Sequence, residues 1–378
     1  MTYWTMFFIL SAGILFQQFF NDSMNRKIYY FLIMVLYGIL TFRYGQGTDY
    51  FSYKSIFNSI ISSKASVFSS SIHTEFGFKI IVLLFNRLRF SFEFLIGIFA
   101  LLSMLLTNKA ISKFVSCKYS ALSLLLLFPT IYLTYYSSVI RQGLVIALFL
   151  GIMLPALLKK SYLCYYLTCF FAISIHYASI LLLFVPLISL FGRKEFIILF
   201  LSALLFLILS IIVDLWDVLY AKTGFYYFKF SELSVLGVLE RLIMVFIIIS
   251  LSKDIDSLPI EIQFFIKIYF VGYCVSLALG YIPLLSHRLT APLKAIEILL
   301  IPMLLQIHYQ TNESGTVKKG LPLIIIILIL YCGVFVAKNI NSYIVQQNYI
   351  NTNIFNYPYI SIFNKNQILR VLPGLIVR

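Results

Sequence analysis

The chain has 378 residues, of which 61% are hydrophobic and only 11% charged, against about 25% charged in an average soluble domain; this excludes a soluble globular fold. The net charge of +15 does not signal nucleic acid, because the basic residues stand singly or in pairs between apolar runs, where they mark topology and lipid head groups. The five cysteines lie mostly inside apolar runs without metal-type spacing; they read as small core residues, and neither a metal nor another cofactor is expected.

A membrane-crossing helix needs about 20 apolar residues. In chain order the apolar runs fall at 3–20, 28–42, 92–107, 120–136, 141–158, 161–176, 178–191, 195–213, 238–252, 262–281, 289–307 and 320–337, which predicts twelve spans. The first run has no basic region before it and no small-residue cleavage site, so it reads as a retained span. A further run, 76–88, is too short to cross and reads as re-entrant or interfacial. The continuous stretch 161–191 reads as two helices meeting at His176. The expected fold class is all-α: one polytopic membrane domain over 1–378, with two large outer loops, 43–91 and 214–240, and an outer tail, 338–378.

Orientation follows from the basic residues. Alternate connections carry Arg26 and Lys27; Lys109, Lys113 and Lys118; Lys159 and Lys160; Arg193 and Lys194; Lys253; and Lys318 and Lys319. These are assigned to the cytoplasm. The opposite side receives Arg43, Arg87, Arg89, Arg141, Arg241 and Arg288 near helix ends. The positive-inside rule accounts for the lysines but not for these arginines, which call for another cause.

Several polar groups interrupt this pattern. Arg43-Tyr44-Gly45-Gln46-Gly47-Thr48-Asp49-Tyr50 follows the second span. Its glycines allow a tight turn or a close backbone approach, and its charges and rings suit a sugar phosphate; the same residues also suit an interfacial turn in which Arg43 snorkels and pairs with Asp49. Glu75-Phe76-Gly77-Phe78 opens the short run, where Glu75 reads first as an anion at a helix start. Ser138-Val139-Ile140-Arg141-Gln142-Gly143 opens the fifth span. An arginine at a helix N-terminus is unfavourable unless an anion joins it, so Arg141 and the backbone donors form a candidate diphosphate clamp. His176, Glu240-Arg241 and His287-Arg288 fall at other outer ends, and polar groups at membrane depth default to functional hypotheses. Glu297, inside the eleventh span, is a weaker signal. No Walker loop, dinucleotide fingerprint, HExxH or GxSxG in a strand context occurs.

Taken in order, the 43–50 motif, Glu75-Phe76-Gly77-Phe78, Ile140-Arg141-Gln142 and Ser174-Ile175-His176-Tyr177-Ala178-Ser179 resemble the EpsG-like branch of Wzy-type bacterial polysaccharide polymerases. The resemblance is carried by motifs from the second span through the seventh, and beyond that by the span pattern, His287-Arg288 and the Tyr-rich tail. It implies an inner-membrane enzyme acting at the periplasmic face, which joins oligosaccharide repeat units carried on undecaprenyl diphosphate into O-antigen or capsule. Its partners are then the lipid-linked donor and acceptor and the membrane lipids, with a chain-length regulator left open and no nucleic acid. It implies no nucleotide sugar and no metal.

That chemistry assigns roles to the residues above. Breaking an anomeric bond leaves a diphosphate whose charge preorganised arginines can stabilise. Arg141 is the first candidate, with Arg43, Arg241 and Arg288 as partners and Gln142 as a neighbouring contact. The acceptor hydroxyl needs a general base; the candidates are His176, Asp49, His287 and Glu240, with His176 slightly ahead because its motif is matched and Asp49 an equal alternative. Tyr44 and Tyr50 are expected to stack on sugar rings. A flippase for lipid-linked oligosaccharides is the main rival, but such transporters are often built from two repeated halves, and no duplicated half is visible here. A membrane O-acyltransferase has only His176 in its favour.

Overall fold

A computed structural model describes residues 2–62, 74–224, 229–231, 235–252, 255–310 and 321–368. The first five helices are α1 (Thr2–Phe19), α2 (Asp22–Phe42), α3 (Tyr50–Ser62), α4 (Phe76–Arg87) and α5 (Phe92–Phe114). Next come α6 (Cys117–Tyr136), α7 (Ile140–Leu158), α8 (Tyr162–Ile175), α9 (Tyr177–Leu190) and α10 (Arg193–Ile212). The rest are α11 (Leu215–Thr223), α12 (Val235–Leu251), α13 (Ile260–Ala278), α14 (Pro283–Lys294), α15 (Glu297–Gln310) and α16 (Leu321–Gln346). No strand occurs among the described residues, so the fold is an all-α polytopic membrane bundle.

Eleven of the twelve predicted spans each fall on one helix, and the other, 289–307, straddles the bend between α14 and α15. Six helices, α5, α6, α7, α10, α13 and α16, are long and apolar enough to cross a bilayer, and α14 with α15, bent by 40° at their junction, make a seventh. Apolar stretches of α1, α8, α9 and α12 are shorter, while α2 has 21 residues but carries Asp22, Arg26 and Lys27 in its first turns. α9 is wound as a 3₁₀ helix over its 14 residues, so at about 2.0 Å per residue it reaches roughly 28 Å. α4 has 12 residues and rises only about 18 Å. It packs against α3 and α8.

The helices surround α6 and α7, of which 78% and 89% are buried, whereas α10, at 11%, lies on the periphery. All three are apolar on every side. Such a helix suits either a core or a membrane span, and the packing here decides which.

Connections gather at two ends of the bundle. At one, Gln17 Nε2 donates to Ser120 Oγ at 3.1 Å and Gln17 Oε1 accepts from the Ala121 amide at 2.9 Å, joining the α1–α2 turn to the start of α6. At the other, hereafter the loop end, the chain after α2 meets the α6–α7 turn: the Thr48 amide donates to Ser138 Oγ at 3.0 Å. The segment after α16 crosses this loop. The Tyr44 amide donates to the Ile360 carbonyl at 2.8 Å, the Ile362 amide to Phe42 at 2.9 Å, and the Tyr349 hydroxyl to Gly45 at 3.1 Å.

The loop depends on Gly45 and Gly47, which hold φ of +65° and +91°. A Cβ on Gly47 would lie 2.4 Å from the Ser137 carbonyl oxygen. Gly47→Ala is therefore expected to destabilise the protein by about 2 kcal/mol or more. Gly38→Ala, on α2 with open space around it, should be neutral or slightly stabilising. Thermal unfolding of both variants in detergent checks the contrast; equal midpoints would mean that the loop does not hold the two helix ends together.

Candidate functional site

A cavity of about 420 Å³ opens among α6, the α6–α7 turn, α12, α14, the α14–α15 bend, α16 and the loop residues Thr48 and Asp49. Its origin is local. From Phe128 to Tyr136, α6 is π-wound, a geometry that widens the helix and recurs at functional sites. The Pro129 carbonyl is met from across the cavity by Asn339 Nδ2 at 2.8 Å, and Thr134 Oγ1 donates to Asn339 Oδ1 at 3.1 Å. A polar wall thus stands where an ordinary α-turn would have closed its own hydrogen bonds.

Five of the residues given a role at the site from the sequence line this cavity: Asp49, Gln142, Arg241, His287 and Arg288. Gln142 Nε2 donates to the Arg288 carbonyl at 2.6 Å, fixing α14 against α7. Arg241 donates to Ser276 Oγ, and its Nη2 lies 3.2 Å from His287 Nδ1. Asp49 accepts from Thr48 Oγ1 at 3.2 Å. Burial raises its pKa above the usual carboxylate range, while the Thr48 hydroxyl, Arg288 and Arg141 pull the other way.

Three further charged residues line the cavity: Lys294, Glu297 and Lys338. Lys294 and Glu297 flank the 40° bend between α14 and α15. A lysine and a glutamate three positions apart inside an apolar run are costly at membrane depth; sequence reasoning marks Glu297 as a weak signal and misses Lys294 and Lys338. The lining thus carries four cations, Arg241, Arg288, Lys294 and Lys338, against two carboxylates, Asp49 and Glu297.

Arg141 and His176 form a separate cluster with Glu75. Arg141 Nη1 donates to Glu75 and, at 2.7 Å, to Thr74 Oγ1, and its guanidinium lies 5.2 Å from each of the Tyr53 and Phe78 ring centres. Glu75 precedes α4 but makes no cap hydrogen bond to it; its second oxygen is 3.1 Å from His176 Nδ1. His176 sits in the turn between α8 and α9, and burial, with Arg141 and Arg288 adding to it, pushes its pKa down to about 3. Its Nδ1 faces the Glu75 carboxylate, which when ionised can only accept a hydrogen bond, and Nε2 is buried with no partner among the described residues. The motif glycine Gly77 belongs to this packing, since a Cβ there would lie 2.7 Å from the Ser174 carbonyl oxygen.

Arg43, Tyr44 and Tyr50 lie outside the cavity lining. Arg43 is 2% exposed and donates to the carbonyls of Leu40, Tyr136 and, at 3.2 Å, Ser137. Tyr44 and Tyr50 pack edge-on at 5.5 Å, and Tyr50 meets Phe92 at 5.5 Å. Glu240 falls on α12, and its side chain lies outside the described ones.

These features define a polytopic membrane protein with a cation-rich cavity enclosed in an apolar bundle. The chain belongs to the EpsG family, whose model matches residues 26–364. Membership points to polysaccharide biosynthesis and to a polymerase-type, glycosyltransferase-like membrane protein. Neither the curated proteins nor the solved structures compared give a match.

The Arg141–Glu75 pair is buried on both sides, at 13% and 9% side-chain exposure. Removing one partner of such a pair costs about 3–5 kcal/mol, because the other charge stays buried. Arg141→Met and Glu75→Gln are each expected to lower stability by an amount in or just below that range, and the double variant by clearly less than the sum. A double-mutant cycle on the unfolding midpoint measures this coupling; additive losses would show that the two side chains act independently.

Proposed function

We propose that the chain polymerises oligosaccharide repeat units carried on undecaprenyl diphosphate into O-antigen or capsular polysaccharide, in the inner membrane with the loop end facing the periplasm. The observation that carries this reading is the gathering of Arg241, Arg288, Lys294 and Lys338 around the same cavity as Asp49. A polyprenyl diphosphate combines a compact polyanion with a long apolar tail, and a cationic cavity among lipid-facing helices suits both parts.

In this reaction the oxygen of the acceptor's terminal hydroxyl bonds to the anomeric carbon of the growing chain. The bond from that carbon to the diphosphate oxygen breaks, and its electron pair leaves with the lipid diphosphate. Asp49 accepts the hydroxyl proton; a carboxylate whose pKa is raised by burial is a stronger base than a solvated one. Arg288, Lys294 and Lys338 meet the charge that develops on the leaving group. The scheme uses no nucleotide sugar and no metal. Arg141 and His176, joined through Glu75, hold the wall beside Asp49.

Purified protein in liposomes, given the lipid-diphosphate repeat unit of its own cell, is expected to build a glycan ladder. Arg288→Ala should slow it by about 10²–10³-fold, and Asp49→Asn should abolish it with folding intact. If the same lipid crosses the liposome membrane and no ladder forms, the protein is a transporter.

Asp49 works only when ionised, so the rate should fall as pH falls through its folded pKa. Because that pKa is raised, the acid limb lies above the roughly 3.9 of a free aspartate. A pH–rate profile with its acid limb at or below that value would remove Asp49 from the role of base.

A further inference from the structure

The Arg241–His287 contact sets the chemistry of the histidine. An arginine N–H can only donate, and Arg241 Nη2 approaches His287 Nδ1 at 3.2 Å, so Nδ1 must present its lone pair. Protonation at Nδ1 would set two donors against each other beside a fixed cation. Both partners are held in place. Arg241, on α12, also donates to Ser276 Oγ on α13, which is 3.0 Å from Ser286 Oγ on α14. The backbone around His287 is held by two other helices: its carbonyl accepts from the Tyr135 hydroxyl at 3.4 Å, and that of Arg288 accepts from Gln142 at 2.6 Å.

We infer that Arg241 locks His287 as the neutral tautomer protonated at Nε2, and that His287 offers this N–H to a phosphate oxygen of a ligand in the cavity. The ring lines the cavity and is more than a third exposed, so the bound proton lies on the nitrogen left to meet a ligand. The occupant is an anion because Arg288, Lys294 and Lys338 line the same space. Arg241 is then a positioning residue that acts through His287. His287 cannot take the acceptor's proton, since its one lone pair is engaged by Arg241, and this leaves that step to another group. The phosphate part of the inference rests on the proposed function; the tautomer does not.

Solid-state NMR of protein labelled with ¹⁵N-histidine tests the tautomer without any assay of activity, His287→Gln identifying the signal by its loss. Wild type is expected to show Nε2 protonated and Nδ1 bare at position 287. Arg241→Ala should release the ring to a tautomer mixture that titrates. Protonated Nδ1 in wild type, or an unchanged ring in Arg241→Ala, overturns the inference.

Adding a polyprenyl diphosphate without glycan should shift the Nε2–H signal, whereas a shift with free oligosaccharide alone would overturn the phosphate assignment. In the polymerisation assay His287→Ala should lose roughly ten- to a hundredfold, with His287→Gln, which keeps an N–H, recovering part of it. A tautomer seen as expected in a protein that builds no ladder would sink the polymerase reading and leave the Arg241–His287 device standing.

Discussion

A buried guanidinium ties the loop end of the bundle together. Arg43 reaches the carbonyls of Leu40 at the end of α2 and of Tyr136 and Ser137 at the end of α6. Both are helix C-termini, where unsatisfied carbonyls and the helix dipole favour a cation. This explains how a full charge sits at 2% exposure with no carboxylate partner among the described residues. The consequence reaches the cavity. With Arg43 bridging α2 and α6, the following residues lie flat across the α6–α7 turn, and Thr48 hydrogen-bonds Ser138. That places Asp49 on the cavity wall within electrostatic reach of Arg288.

The same tethering separates the candidates for proton transfer. His176 Nε2 is buried and lies outside the cavity lining. His287 reaches the cavity, but its Nδ1 faces Arg241. Asp49 is the cavity carboxylate nearest the loop end, and its burial strengthens it as a base. The sequence put His176 only slightly ahead of Asp49, because motif spacing places both at outer helix ends; packing shows that Asp49 is the one that lines the cavity.

Much of the fold was legible in the sequence. Apolar run length and interrupting charge mark helix ends well: eleven of the twelve predicted runs each lie on one helix, while 289–307 hides the bend between α14 and α15. The run 76–88 also forms a helix, of 12 residues. What hydropathy does not carry is rank: α7 and α10 read alike, yet one is central and the other peripheral. Nor does it carry winding. The π-turns of α6, which open the cavity, follow from Pro129 and from partners on α16, more than 200 positions away in sequence. Arg43 lies outside the cavity lining for a related reason: a charge beside glycines suits a ligand or a carbonyl cluster equally until the second helix end is located.

The arginines gathered at one end now have the separate cause that the positive-inside rule did not supply. Arg87 and Arg89 are exposed surface residues, but Arg43, Arg141 and Arg241 each bridge elements: α2 to α6, α7 to the start of α4, and α12 to α13 and α14. A planar fork with five donors can hold two or three acceptors in fixed directions, which an ammonium on a flexible stem cannot. Lysine serves the opposite need. Lys294 and Lys338 bring compact charge on four-carbon stems to the cavity lining, where Arg288 joins them. Arginines that bridge elements and cations that line the space are a division of labour set by place in the bundle. It accounts for both cations occurring at one site.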